Sequence, residues 1–402
     1  MRSPSLSSQD NRTAPPAVPA AGGSSVAARS GGRVMMLGLR GIPGVQGGVE
    51  KHVEMLAARL AAQGWQVEVV ARSPYLPRPG LREWNGVRVT PLWAPRRAAL
   101  EALVHTFLGV LHAGFRRPDI LHIHAIGPSL MVPLARLFGL KVVVTHHGYD
   151  YDRQKWGAVA RTALRLGERF GMRLSHARIA VSGDIARTMD ANHGVAVDFV
   201  PNGVAVAPGT ASSGILDELG LARRRYVLLA ARFVPEKRQS DLIRAFARLD
   251  DPGLKLVLAG DAEHESAYAR EVRALAADTP GVVLAGFQTG DRLAALFANA
   301  ALFVLPSSHE GMPIALLEAM AYGLPVLASD IVANKELKLP QGDYFPLGDI
   351  EALATAMAAR IADLPDEEAM ARQAEEVGRA YSWTGIAGRT GALYRAVLAK
   401  RG

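Results

Sequence analysis

The chain contains no cysteine, which removes disulfide frameworks, thiolate zinc sites, iron–sulfur clusters and cysteine nucleophiles together. Any covalent catalyst must therefore be an oxygen or nitrogen group. An uninterrupted apolar run of about 18 residues, the length of a spanning helix, is also missing. The most apolar stretch, residues 98–115, is broken by Glu101, His105 and His112. Aromatic residues are sparse, at 6%. No basic patch is interleaved with them and no helix-turn-helix pattern occurs, so nothing supports a nucleic-acid partner. What is present is globular usage: 402 residues, 49% hydrophobic and 21% charged, material for two domains.

The net charge of +8 is unevenly placed. Residues 33–205 hold 22 Lys and Arg against 12 Asp and Glu, a balance of +10, whereas residues 206–382 hold 17 against 25, a balance of −8. This asymmetry points to an anionic partner for the first half, either a phosphate-bearing substrate or an anionic membrane surface.

Residues 1–32 are rich in Ser, Ala, Pro and Gly without a stretch of signal-peptide length. They read as a disordered arm on a cytoplasmic protein. From Arg33 onward, short apolar runs alternate with segments of helical period. Runs at 34–37, 67–70, 87–89, 120–123, 142–145, 179–181 and 197–200 are too continuous to be half-exposed strands, so they predict a parallel sheet covered on both faces. The pattern restarts at 227–230 and continues at 256–258, 282–284, 302–305 and 326–328. Two doubly wound α/β domains are expected, at 33–203 and 223–382, joined by a turn-rich linker at 204–222. Ligands bind beyond the carboxyl ends of such strands, so two facing sheets predict one deep cleft.

Four segments carry chemistry. The first, residues 38–50 (GLRGIPGVQGGVE), follows the first strand and opens a helix with Val49, Val53, Leu56 and Leu60 on one face. Its glycines permit close backbone approach, and the helix start offers free N–H groups to an anion. The spacing is neither a dinucleotide fingerprint nor a Walker loop. The second, residues 231–237 (ARFVPEK), places Arg232 and Lys237 in a strand-exit loop, where a guanidinium fork and a point charge suit a diphosphate. The third, residues 307–323, carries Glu310 in a loop and Glu318 about two turns inside a helix that begins near Pro313 and stops at Gly323. Beside inward-packing Ala315, Leu316, Ala319 and Met320, Glu318 needs a polar partner, and a ligand hydroxyl would serve.

The fourth is residues 143–152 (VVTHHGYDYD), where His146 and His147 end a strand and are candidates for acid, base or hydrogen-bonding work. His122 and His124 alternate in the preceding strand and read as structural. Asp150 and Asp152 form a spacing found often by chance, and no metal is expected there.

In this order on paired α/β domains, the glycine loop, the Arg-x4-Lys pair and the Glu-x7-Glu pair resemble the retaining GT-B glycosyltransferases of family 4, or glycosyltransferase group 1. The likeness spans about residues 33–398. Residues 40–43, 145–150 and 153–157 look most like members from bacterial exopolysaccharide and O-antigen pathways. The resemblance implies a GT-B fold of two Rossmann-like domains facing a cleft, with residues 383–402 forming a helix that crosses back to the first domain. It implies that Arg232 and Lys237 hold the donor diphosphate, Glu318 the ribose and Glu310 the donor sugar. Gly311, Met312 and Pro313 belong to the same donor loop, and Gly47 and Gly48 approach the diphosphate or acceptor. A histidine contacts the sugar near the anomeric centre, with His147 favoured over His146 because it directly precedes Gly148.

The implied reaction is transfer from a nucleotide-diphosphate sugar to a saccharide acceptor, lipid-linked, in cell-surface polysaccharide synthesis, with no metal required. A nucleotide-sugar epimerase of the same fold and a non-catalytic nucleotide-sugar-binding protein are the alternatives. Arg96, Arg97, Arg116 and Arg117 bracket the apolar stretch 98–115, whose helical spacing fits a core helix or one resting on an anionic membrane, peripheral at the inner face of the plasma membrane.

Overall fold

The computed structural model describes residues 31–400 except Pro77, Pro79, Arg96, Arg97, Gln154, Lys155, His264 and residues 206–213. The expected arm through residue 30, the turn-rich linker segment 206–213, Arg96, Arg97 and Lys155 lie outside the described residues.

The first domain runs β1 (Arg33–Leu37), α1 (Gly48–Ala62), β2 (Gln66–Arg72), β3 (Glu83–Trp84), β4 (Val87–Leu92), α2 (Ala98–Arg116), β5 (Ile120–His124), α3 (Val132–Leu137), β6 (Val142–His146), α4 (Ala158–Leu174), β7 (Ala177–Ala180), α5 (Gly183–His193) and β8 (Asp198–Phe199). Its eight strands lie in the order β3-β4-β2-β1-β5-β6-β7-β8. Two features correct the expectation of a wholly parallel, wholly covered sheet. β3 is antiparallel to β4, joined through Asn85 and Gly86, both at positive φ as a two-residue hairpin turn requires. β8, at the opposite edge, is exposed, because an edge strand has a neighbour on one side only.

The second domain runs α6 (Ile215–Glu218), β9 (Tyr226–Ala230), α7 (Gln239–Phe246), β10 (Lys255–Ala259), α8 (Ala267–Asp278), β11 (Val282–Gly286), α9 (Gly290–Asn299), β12 (Leu302–Leu305), α10 (Ile314–Ala321), β13 (Val326–Ser329), α11 (Val332–Lys335), β14 (Tyr344–Phe345), α12 (Ile350–Ala362) and α13 (Glu367–Ala380). Its parallel sheet has the order β11-β10-β9-β12-β13-β14. Val227, Leu228, Leu302 and Phe303 at its centre are fully buried, each contributing about 1.5–3 kcal/mol. The continuous apolar runs arise because helices cover both faces there.

α14 (Trp383–Ala399) then returns to the first domain and packs on α1. Tyr394 meets Trp65 edge-on at 5.2 Å, and its hydroxyl lies 2.6 Å from His122 Nδ1 under the sheet. Lys141 Nζ donates to the carbonyls of Val397 and Leu398, both at 3.1 Å, a cation at a helix C-terminus. The two crossings between domains touch each other: Val204 bridges Ser382, and Val204 N donates to Tyr381 O at 2.8 Å.

Replacing Tyr394 by Phe strands the buried His122 Nδ1 without its partner. We expect a loss of about 1–3 kcal/mol in denaturant unfolding; an unchanged midpoint would mean that this hydrogen bond contributes nothing to anchoring α14.

Candidate active site

Among the parallel strands, the order of each sheet reverses at one place, between β1 and β5 in the first domain and between β9 and β12 in the second. At such a switch point the loops leaving adjacent strands diverge and open a crevice. The loops after β1, β6, β9 and β12 face one another and line a cleft of about 1130 Å³.

From the first domain comes the glycine loop. Gly47 has φ +150°, and a Cβ there would lie 2.1 Å from Glu50 Oε2, so only glycine lets the carboxylate fold beneath the loop. Gly48 would meet no atom within 4 Å and stays open to a ligand. Glu50 grips Arg40 through Nε to Oε1 at 3.0 Å and Nη2 to Oε2 at 3.0 Å. Burial alone would raise the Glu50 pKa, but Arg40's charge and hydrogen bonds outweigh it and hold the group at about 2. Arg40 also pairs with Glu263 of the second domain, which lies 3.6 Å from Arg232 Nη1. Burial, with Arg40 nearby, lowers the Arg232 pKa. Glu50 and Glu263 offset these effects in part, and a bound anion at Arg232 would offset them further.

The second domain supplies the other wall. Gln239 Nε2 donates to Arg232 O at 2.7 Å and Ser308 N to Glu236 O at 2.9 Å, which ties the 231–237 loop to the 307–311 loop. Lys237 and Glu310 form an ion pair. Glu318, its side chain 17% exposed, faces the cleft 3.8 Å from Lys51 Nζ. Burial raises its pKa, with Lys51 opposing. Gly311 lies so close to the first domain that a Cβ would sit 1.8 Å from His147 O. Met312 O accepts from Asn202 Nδ2 at 3.0 Å.

α10 corrects the sequence reading in detail. It starts at Ile314 after Pro313, so Glu318 lies one turn inside rather than two. Leu316, Leu317, Ala319 and Ala321 are its buried residues, whereas Ala315 and Met320 are only half-buried. Pro313 caps the helix and does not line the cleft, while Gly311, Met312 and Glu318 do.

The paired histidines face opposite ways. His146 turns under the sheet, with Nε2 3.1 Å from Glu168 Oε2 and Nδ1 accepting from Gly148 N at 3.2 Å. His147 lines the cleft. Behind it lie His124, whose Nδ1 is 3.1 Å from His147 Nε2, and His52, whose ring centroid is 4.7 Å from that of His147. Burial, reinforced by the neighbouring histidines, drives the pKa values of His124 and His147 well down. His52 falls to about 4, burial outweighing its Asn202 hydrogen bond. At neutral pH this wall is uncharged. His122 is satisfied on both nitrogens, by Tyr394 and by Thr145 Oγ1 at 2.7 Å; His124 Nε2 is buried without a partner. Asp150 is paired with Arg153 at 2.8 Å.

The structure thus brings His147, Arg232, Lys237, Glu310, Glu318, Gly47 and Gly48 to one cleft. Sequence reasoning missed Glu263 and Lys51, whose partners lie in the other domain, and Asn202 and His52. Arg40 and Glu50 stood within the glycine loop, and their spacing alone did not signal a buried ion pair.

Residues 224–363 match the family model described as glycosyl transferases group 1, and residues 47–203 match the glycosyl transferase 4-like domain. A phosphatidyl-myo-inositol mannosyltransferase from Mycobacterium leprae is 31% identical over 374 residues, covering 88% of this chain and 94% of that protein. Sucrose-phosphate synthase from Thermosynechococcus elongatus superposes with a TM-score of 0.77 at 21% identity, over 92% of this chain and 100% of the other. Anabaena HepE in complex with UDP-glucose does so with 0.73 at 19% identity, over 91% and 100%. The fold and cleft define a GT-B glycosyltransferase. The chain belongs to glycosyltransferase group 1, family 4.

Because the folded pKa of Glu50 lies below its ordinary 4.5, its stabilising contribution is present above pH 4.5 and is lost as pH falls toward 2. Unfolding followed from pH 6 to about pH 2 should show a larger destabilisation in wild type than in Glu50→Gln, in which Glu168 and Glu218 still lose theirs. Parallel pH curves for the two proteins would deny the Arg40 pair that role.

Proposed function

We propose that the chain transfers a sugar, with retention, from a nucleotide-diphosphate sugar to a lipid-linked saccharide acceptor in cell-surface polysaccharide synthesis. The observation that carries this reading is the meeting of Arg232, Lys237, Glu310 and Glu318 on one wall of the cleft, opposite the neutral His147. The M. leprae relative is named for transfer to a phosphatidyl-inositol, and the Anabaena structure holds UDP-glucose. The second supports a nucleotide-sugar donor, and the first supports an acceptor carried on lipid.

In this reading the donor diphosphate lies between Arg232 and Lys237. Charge grows on its leaving oxygen as the sugar becomes cationic, so fixed cations there stabilise the transition state more than the ground state. Glu310, released from Lys237 as the phosphate takes its place, accepts from sugar hydroxyls. Glu318 accepts from the ribose, whose hydroxyls supply donors to a carboxylate that burial has taken from water. Gly47 and Gly48 let the backbone approach the diphosphate or acceptor. Because the wall formed by His147 is neutral, it adds no repulsion to a cationic sugar.

Retention then follows a same-face course. The bond from C1 to the phosphate oxygen breaks, the bond from C1 to the acceptor oxygen forms, and the acceptor proton passes to the leaving phosphate oxygen. The two protein cations take the part that a divalent ion would otherwise play at the diphosphate, so no metal is required.

For the acceptor side, the support is a surface. α2 exposes Leu100, Leu103, Phe107 and Phe115, while Val110 and Ala113 on its other side are buried; it is at once a core helix and an apolar surface. α3 packs beside it and α4 packs on α3, and these two expose Leu137 and Val159, 80% and 86% accessible. Along α4, Arg161, Arg165, Arg169 and Arg173 are exposed at four-residue spacing, and Arg116 and Arg136 are exposed on α2 and α3. The carboxylates of these three helices, Glu101 and Glu168, are buried. Apolar side chains ringed by arginines suit an anionic leaflet, at the inner face of the plasma membrane. No described helix is long and apolar enough to cross a membrane.

Two experiments test the reading. Lys237→Ala should lower turnover by about 10² or more, comparable to losing one transition-state donor, and steady-state kinetics on a panel of nucleotide sugars would show it; near wild-type turnover would remove Lys237 from the diphosphate. Sedimentation with liposomes should require anionic lipid and weaken as salt rises, each near-surface arginine being worth about 1 kcal/mol. Protein left in the supernatant at low salt would point to a soluble saccharide acceptor instead.

A further inference from the structure

Three of the histidines, His52 and His124 buried and His147 half-buried, do more than keep the cleft wall neutral. His52, His124 and His147 each present one ring nitrogen, and these nitrogens all lie within 4.8 Å of one another. Among the described residues, this is the one group of three or more His, Asp or Glu side chains so arranged. Zinc bonds imidazole nitrogen at about 2.0–2.1 Å, so three nitrogens around one tetrahedral ion stand about 3.4 Å apart. His124 Nδ1 and His147 Nε2, at 3.1 Å, are near that spacing already.

The proton positions favour the same conclusion. Asn202 Nδ2 donates to Met312 O at 3.0 Å, which leaves Asn202 Oδ1 facing His52 Nδ1 at 2.8 Å. That oxygen can only accept, so His52 carries its proton on Nδ1 and its Nε2 is a bare lone pair. A metal-ligating histidine characteristically donates its far N–H to an oxygen in this way, which fixes the ring and its tautomer. For His124 Nδ1 and His147 Nε2 both to ligate, the proton they share moves to a far nitrogen and His124 carries its own on Nε2, which is buried without a protein partner.

We propose that His52, His124 and His147 form a binding site for zinc at the floor of the cleft. Three imidazoles with no thiolate and no carboxylate select a borderline ion such as Zn²⁺ over Mg²⁺ or Ca²⁺. His147 lines the cleft, so the fourth coordination position opens toward the space assigned above to the donor sugar. On that reading, bound zinc competes with the donor and inhibits transfer; it has no part in the reaction itself.

The test uses the full, untagged chain stripped of metal. Co²⁺, a spectroscopic stand-in, is titrated while the visible bands of a tetrahedral nitrogen site are followed, and Zn²⁺ is then used to displace it. The wild type should bind one ion, and His52→Gln and His147→Asn should each weaken binding at least tenfold. His147 lies at the cleft surface, so its variant decides the matter even if His52→Gln does not fold. In the transfer assay zinc should raise the apparent KM for the donor, and EDTA should reverse this. Absence of tetrahedral Co²⁺ bands in wild type, or equal affinity in the His147 variant, overturns the site. The titration needs no turnover, so its failure leaves the glycosyltransferase reading intact, and an absence of transfer leaves the metal result intact.

Discussion

Parallel strands covered on both faces leave polar chemistry one place to gather, beyond their carboxyl ends. An unpaired charge inside such a sheet costs several kcal/mol, so the apolar runs that build the two cores also confine the cleft cations and carboxylates described above to strand-exit loops and the first turns of the helices that follow them. The arrangement of the site follows from this. β1 and β9 sit at the centre of their sheets beside the points where strand order reverses, and the loops that leave them carry the glycines and the Arg232 and Lys237 pair.

The exception is the histidine wall. His122 and His124 lie within β5, in the sheet itself, and they are tolerated because imidazole becomes neutral at little cost, whereas a carboxylate or ammonium of similar depth would need a full counter-charge. His122 is satisfied by Tyr394 of α14 and Thr145 of the next strand, and His124 leans on His147. The C-terminal helix is thereby joined, through hydrogen bonds and ring contacts, to the cleft floor that it does not itself line.

Much of this was legible in the sequence because its causes are local. The strand cores were visible as apolar runs, the cation pair as spacing within one loop, and the two glutamates as spacing within one loop-and-helix segment. The antiparallel β3 was not read, although Asn85-Gly86 is a hairpin signal; two-residue strands carry no periodicity of their own. The start of α10 was placed too early because Pro313 fits a first helical turn as well as a cap. What stayed hidden is what depends on two distant segments meeting. Arg40 with Glu263, Lys51 with Glu318 and His52 with Asn202 are each set by a fold that no window of sequence contains. His147 was favoured over His146 from its place before Gly148, and it does line the cleft; the physical cause, the pleat of β6 and Glu168 drawing His146 inward, is not in that spacing.

The chain passes between the domains twice, and the two passages lie side by side, held by the Val204 to Ser382 bridge and the hydrogen bond to Tyr381 O. Two tethers fastened together allow far less than two separate ones would: they permit swing about the line they share and resist twist and sideways slip. Any opening of the cleft is thereby steered toward a single coordinate, like a door on a pinned edge. Closure along that coordinate would bring Gly311 over the carbonyl of His147 in the one register seen here, without a search through orientations.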